Sequence, residues 1–393
     1  MFSDDLILPW LLRLREELPG LELIDVHTHI GQDDPDGYRC TPEQLIEGLE
    51  LAGARGVVFP MHEPKGYAAA NDRVLAAAAE SSGRLVAFAR VDPRADPAAE
   101  AQRCLDRGAR GLKLHPRAEG FTLDHPGVWK VMAVADERGV PVICHAGRGI
   151  PALGRHALEL CARYPRARLI LAHAGICDLA WIWRAAEDHP NLMFDTAWWA
   201  PSDLVALFAL VPPGQVLFGS DAPYGTPALM ATLTLRYALQ AGLSAEQVHA
   251  VAGGQVERLI AGEEQLDLGP APGPRSVGHD PVLDRVYTFL VMAVGRMLTG
   301  TGADEALALA VLAAEVGDDA PQAAVCRSIL ALLEERRELA ERSSTRLDGR
   351  PISVPGIHLV VLAAALTRTP DVPLPPDPVP VDVAERVRGE GPG

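Results

Sequence analysis

Leu21-Glu22-Leu23-Ile24-Asp25-Val26-His27-Thr28-His29 is a run of strand formers that ends in two histidines. Residues two apart on a strand point to one face, so His27 and His29 project together. Four further stretches follow the same plan: Lys113-Leu114-His115-Pro116, Cys144-His145-Ala146-Gly147, Ala172-His173-Ala174-Gly175 and Gly219-Ser220-Asp221-Ala222-Pro223. Each closes an apolar β-forming run and precedes a turn and a helix-like segment. If these strands are parallel neighbours in a barrel, the side chains converge at its C-terminal mouth, where such folds keep their chemistry.

Working outward, strands are expected at Leu21–His29, Ala54–Pro60, Arg84–Val91, Arg110–His115, Val140–His145, Arg168–His173, Asn191–Thr196 and Gln215–Asp221. Helical segments follow each of them, the first opened by Thr41 as N-cap with Pro42 behind it. Eight strand–helix pairs make an α/β chain of the (β/α)8 type, a TIM barrel. An open doubly wound sheet fits less well, because the first strand–helix turn carries no Gly-x-Gly-x-x-Gly loop. Arg168-Leu-Ile-Leu-Ala and Gln215-Val-Leu-Phe-Gly are nearly all apolar, as parallel strands buried on both faces should be.

The barrel is assigned to residues 1–265, and a Pro/Gly linker to 266–279. An appended small α-helical C-terminal domain is expected over 280–368, from helical spacing in Asp280–Leu298, Ala303–Val316, Ala320–Arg342 and a shorter Pro355–Leu366. The proline-rich, charged stretch 369–393 reads as disordered.

Composition narrows the partners. With 393 residues, 48% hydrophobic and 22% charged, the chain can bury a large core. A formal charge of −16 and no basic stripe argue against nucleic acid or an anionic membrane. Cys40, Cys104, Cys144, Cys161, Cys177 and Cys326 form no Cys-x-x-Cys pair, which fits a reducing cytoplasm. The start Met-Phe-Ser-Asp-Asp has no signal-peptide layout, and the apolar stretches near Val286–Met292 and Ile357–Leu366 are short of the roughly 20 residues of a membrane span. A cytoplasmic protein acting on a small molecule is expected, with a homodimer contact through the helices as an option.

The strand-end residues suit a divalent transition metal. His27 and His29 supply a fixed fork, and His145 and Asp221 could close the sphere with one position left for water. Water on such an ion reaches a pKa near ~7. His173 is placed to hold or deliver a proton, and Asp221 to accept a hydrogen bond from that water. A single histidine at a strand end is more often a bracing residue; several at one level of one barrel favour the metal. Lys113 could bridge two ions if carbamylated, or pair with a substrate anion or with Asp25; the single-ion arrangement is favoured. His115, His62 and Arg148 are candidate substrate contacts, with Glu63 beside His62 and Arg90 as another anion binder. Trp198 and Trp199 could wall the pocket. His125, His156, His189, His249, His279 and His358 read as solvated or capping. Cys144 should face away from the mouth if His145 faces it.

Taken together, Ile-Asp-Val-His-Thr-His, Ala-Arg-Val-Asp-Pro, Gly-Leu-Lys-Leu-His-Pro, Val-Ile-Cys-His-Ala-Gly, Leu-Ala-His-Ala-Gly and Phe-Gly-Ser-Asp-Ala-Pro-Tyr-Gly resemble the amidohydrolase superfamily. The branch is the amidohydrolase-related one that includes aminocarboxymuconate-semialdehyde decarboxylase, and the resemblance spans about Leu21 to Ala261. It implies His27, His29, His145 and Asp221 as metal ligands and His173 as the proton-handling residue. In other branches the residue matching His173 binds a second ion bridged by a modified lysine, here Lys113. Gly254-Gln255 stands where the branch usually has Gly-Asn.

The expected activity is metal-dependent hydrolysis of a C–N, ester or lactone bond, with zinc as the default ion. Non-oxidative decarboxylation of an unsaturated or aromatic acid on the same metal is the alternative. A third reading makes the barrel a binding scaffold that works through its helical tail.

Overall fold

The computed structural model describes residues 4–147, 149–176, 180–274, 278, 280–343 and 354–376. Arg148, Cys177, His279 and the tail from 377 onward lie outside the described residues.

The eight strands are β1 (Leu23–Ile30), β2 (Ala54–Pro60), β3 (Leu85–Ala87, resumed at Ala89–Arg90), β4 (Leu112–Leu114), β5 (Pro141–Cys144), β6 (Arg168–Leu171), β7 (Leu192–Asp195) and β8 (Val216–Leu217). Each pairs in parallel with the next. Within β3 the Phe88 amide still donates to Val58 O, while the Ala89 amide has turned to Gly111 O. The strand thus hands over from β2 to β4. The ring closes where the Val26 amide donates to Phe218 O and Thr28 bridges Ala222. The chain therefore folds as the expected (β/α)8 barrel.

Inside the barrel, Ile24, Val26, Val57, Phe59, Phe88, Ile143, Ile170, Met193 and Leu217 form one apolar cluster. Val256 and Leu259, on the helix Gln255–Ala261, belong to the same cluster. Gln255 is fully buried there and bonds to Gly214 O and Leu266 O. The exchange of Asn for Gln therefore falls on a structural contact. Cys144 belongs to the outer cluster with the helices whereas its neighbour Ile143 faces inward, as strand alternation requires.

The register between β1 and β2 shifts between Asp25 and Thr28. A bulge of this kind breaks the period of two and re-aims the residues beyond it. Val26 faces the barrel interior, and yet the ring of the next residue, His27, also packs on interior Phe59 at 5.4 Å.

The helix Leu8–Glu17 was not expected. It buries Leu8, Trp10, Leu11 and Leu14, each contributing roughly 1.5–3 kcal/mol. That outweighs the marginal stability of a ten-residue helix on its own. It lies against the helix Pro227–Gln240.

Beyond the linker come the helices Pro281–Thr299, Asp304–Ala314, Ala323–Ser343 and Ile357–Leu366. The last is buried from His358 to Leu366 and packs against Pro227–Gln240 of the barrel as well as against its helical neighbours. The helical region thus shares one continuous apolar cluster with the outside of the barrel.

Disorder from 369 onward is corrected for the residues up to 376. Thr369 and Val372 are buried, and the buried Arg236 guanidinium bonds to Thr369 Oγ1 (2.9 Å), Thr369 O (2.8 Å) and Pro373 O (3.1 Å). A desolvated cation needs acceptors, and this segment supplies them.

No helix among the described residues is long and apolar enough to cross a membrane. The five described cysteines are buried.

Candidate metal centre

His27 and His29 end β1, and Asp221 sits in the turn after β8. His27 Nε2 and His29 Nε2 each lie 3.1 Å from Asp221 Oδ1. One ligand atom from each residue falls within 4.8 Å of the others. The opposite ring nitrogens are engaged: His27 Nδ1 meets Asp195 Oδ2 at 2.7 Å, and His29 Nδ1 lies 3.5 Å from Pro60 O. Acceptors at Nδ1 hold the proton there and leave the Nε2 lone pairs turned toward Asp221. Two imidazoles and a carboxylate so arranged suit a divalent transition ion.

Asp221 and His173 both occupy the left-handed region, at φ 59° and 56°. For residues other than glycine this costs of order 1–3 kcal/mol each, tolerated where the surroundings enforce it. Here the Asp221 amide donates to His27 O at 2.8 Å, and Asp221 O accepts from Tyr224 and Gly225.

Asp195, at the end of β7, carries no role in the sequence reading. It is fully buried, and while Oδ2 meets His27, Oδ1 accepts from the amides of His173 (2.8 Å) and Ala197 (3.0 Å). Its placement at a strand end, level with the histidines, was the available signal. Burial would raise its pKa, but His27 outweighs that and keeps it low. Asp221 is likewise held well below the carboxylate range despite burial, by His27 and His173. For His27, burial and Lys113 work against the charged form, but Asp221 and Asp195 prevail and the pKa is raised. Burial lowers His29 to about 3, with Asp221 opposing.

His145 is not one of the three clustered residues. Its Nδ1 lies 2.9 Å from His173 Nε2, and its own Nε2 is buried with no hydrogen-bond partner among the described residues. His173 Nδ1 donates to Ala197 O at 2.7 Å, so in the neutral ring Nε2 accepts from His145. His115 stacks on His145, and its Nδ1 caps the helix Pro116–Glu119 by accepting from the Ala118 amide. Burial first, then the neighbouring imidazoles, hold both well below the ordinary histidine pKa.

Lys113 Nζ lies 3.1 Å from His27 Nε2 and 4.5 Å from the Phe59 ring centroid. Burial lowers its pKa to about 8. It is not paired with Asp25, which instead accepts from the amides of His27 and Ser220. Arg90 is not open to an anion: its guanidinium is buried on Glu119 and Pro60 O. Glu63 is buried against Arg73. Half-buried His62 has no hydrogen bond to the cluster among the described residues. Of the residues read as solvated or capping, His125 caps the helix Pro126–Arg138, whereas His156 and His358 are buried. On one side of the cluster, Tyr224 meets His29 edge-on at 5.5 Å and packs on Tyr38; on the other, Trp198 lies 6.5 Å from His173 and 6.0 Å from Trp199.

The sequence pattern of the amidohydrolase family matches residues 24–259, and the chain belongs to that family. No curated protein matches it. Among solved structures it is similar to 2,6-dihydroxybenzoate decarboxylase complexed with 2,6-dihydroxybenzoate, at 16% identity and a TM-score of 0.51, over 62% of this chain and 98% of the other. It is also similar to 5-carboxyvanillate decarboxylase from Sphingomonas paucimobilis, at 15% identity and a TM-score of 0.49, over 62% and 99%. A third is dihydroxybenzoic acid decarboxylase from Polaromonas sp. JS666 with bound manganese and 2-nitroresorcinol, at 16% identity and a TM-score of 0.48, over 61% and 97%.

Proposed function

We propose that the chain is a metal-dependent, non-oxidative decarboxylase of a small aromatic or unsaturated acid. One divalent ion is held by His27, His29 and Asp221, with the partnerless Nε2 of His145 as the fourth ligand. The observation that carries this reading is the division of labour among the histidines. Donor atoms of His27, His29 and Asp221 gather for one ion and the Nε2 of His145 is left open, while both ring nitrogens of His173 are engaged, by Ala197 O and His145. One ion beside a separate proton-handling imidazole suits decarboxylation, which needs a proton at the carbon that loses the carboxylate. The fold shared with an enzyme that holds 2,6-dihydroxybenzoate and the aromatic flanks Tyr38, Tyr224, Trp198 and Trp199 suit a planar substrate. These grounds put decarboxylation ahead of hydrolysis, reversing the order expected from sequence.

When bound, the ion supplies Lewis acidity toward a substrate oxygen. Among the described residues, Lys113 is the cation placed to face the carboxylate, since Arg90 is tied to Glu119. With Nδ1 kept on Ala197 O, His173 in its imidazolium form, its Nε2 proton turned from His145 toward the substrate, delivers that proton to the carbon that bears the carboxylate. The C–C bond then breaks, its electron pair returns to the π system, and CO2 leaves. His115 and His62 border the substrate. Zinc is the first ion to try.

Hydrolysis of a C–N, ester or lactone bond is the second reading. Lys113 Nζ, aimed at His27 Nε2, favours it, because a carbamylated lysine there would bridge a second ion. The appended helices share the apolar cluster around the barrel, which supports a structural role for them ahead of the scaffold reading.

The test is metal-loaded protein with a panel of hydroxybenzoic and unsaturated acids, followed by CO2 release, beside a panel of amides, esters and lactones. Release from at least one acid, abolished by His173→Ala, is expected. No release across the acid panel, with opening of any amide, ester or lactone, would hand the assignment to hydrolysis.

A further inference from the structure

We infer that Asp195 is a positioning residue that sets the tautomer of His27 and the placement of His173 with one carboxylate. The inference rests on the metal-binding part of the reading above and not on the choice of reaction. Oδ2 faces His27 Nδ1 at 2.7 Å and Oδ1 takes the amides of His173 and Ala197, so both oxygens are spoken for within the barrel. Ala197 in turn returns its carbonyl to His173 Nδ1. One buried side chain therefore orients a ligand through its ring and the proton-handling residue through its backbone.

The geometry makes one substitution unusually informative. In Asp195→Asn the side chain has a single oxygen, and the two backbone donors can only be met by that oxygen. The amide NH2 is then left facing His27 Nδ1. It donates, which forces the His27 proton onto Nε2 and occupies the lone pair an ion needs. Volume and backbone hydrogen bonds are kept, so a merely structural role would leave metal binding unchanged.

The experiment is titration of the metal-free full chain with Zn2+ against a chromophoric chelator, for wild type and Asp195→Asn, with thermal unfolding alongside. The expected result is a Zn2+ affinity about 10- to 100-fold weaker in a variant that still unfolds cooperatively. Asp195→Ala, which leaves Nδ1 without an imposed donor, should lose less affinity than Asp195→Asn if it folds. An Asp195→Asn affinity within about threefold of wild type would overturn the inference, and so would a wild type that does not bind Zn2+. Normal binding by the wild type with no turnover of any acid would sink the decarboxylase reading and leave this one standing.

Discussion

His115 and His145 stack face to face, with ring centroids 3.9 Å apart and planes 10° apart. Two imidazoles in that register cannot both be charged in a buried site, and burial keeps both neutral. His115 thus acts as a flat wall that fixes the plane in which His145 presents its lone pair. His115→Phe keeps the wall and should hold Zn2+ affinity within about threefold. His115→Ala removes it and should weaken binding by more than that. Equal affinities for the two variants would show that the stack does not position His145.

Gly147 has a role that only the packing shows. A Cβ there would lie 2.7 Å from His145 Nε2. The clash is with the tip of a side chain, so the ring swings away and the fold pays little. Gly147→Ala should therefore unfold within about 1 kcal/mol of wild type while losing most of its activity. Retained activity would mean that His145 Nε2 is not where the chemistry needs it.

Acid should loosen the helical region through His358. Burial holds its pKa at about 4, against 6.5 in the unfolded chain. The folded state keeps this ring neutral, so as pH falls below 6.5 the unfolded chain takes the proton first. The resulting loss of stability levels off below pH 4 at roughly 3 kcal/mol. His358→Leu removes that dependence. Its stability relative to wild type should improve by roughly 2 kcal/mol between pH 8 and pH 5, by chemical denaturation at each pH. A constant difference across that range would contradict the assignment.

The eight strands and the level of the site were legible because chemistry-bearing residues close apolar runs at regular intervals. The same residues explain what was not legible. The bulge in β1 is a hydrogen-bond shift that leaves no mark in residue type. Asp195 follows Phe194 at the end of β7 like any polar residue leaving a strand, and only the fold brings it to His27, 168 residues away in the chain. Arg90 looked available for an anion until Glu119 arrived from beyond β4. The helix Leu8–Glu17 has apolar spacing that could have been read, at Leu8, Leu11 and Leu14.

Removing the residues after Leu366 should destabilise the barrel itself. Arg236 would lose its acceptors at Thr369 and Pro373 together with the cover that Val372 gives, at a cost of about 1.5–3 kcal/mol. Arg236→Met in the shortened chain should recover part of that loss, measured by urea unfolding. If the shortened chain is as stable as the full one, the contact is worth little.

The same clasp governs the order in which the protein can be finished as it is made. Arg236 and Thr369 are separated by 133 residues, so the barrel's last long helix leaves the ribosome well before its acceptors do. Until they emerge, the Arg236 guanidinium must take its hydrogen bonds from water. The outer face of that helix therefore takes its final packing from the far end of the sequence, long after the strands that close the barrel have been made.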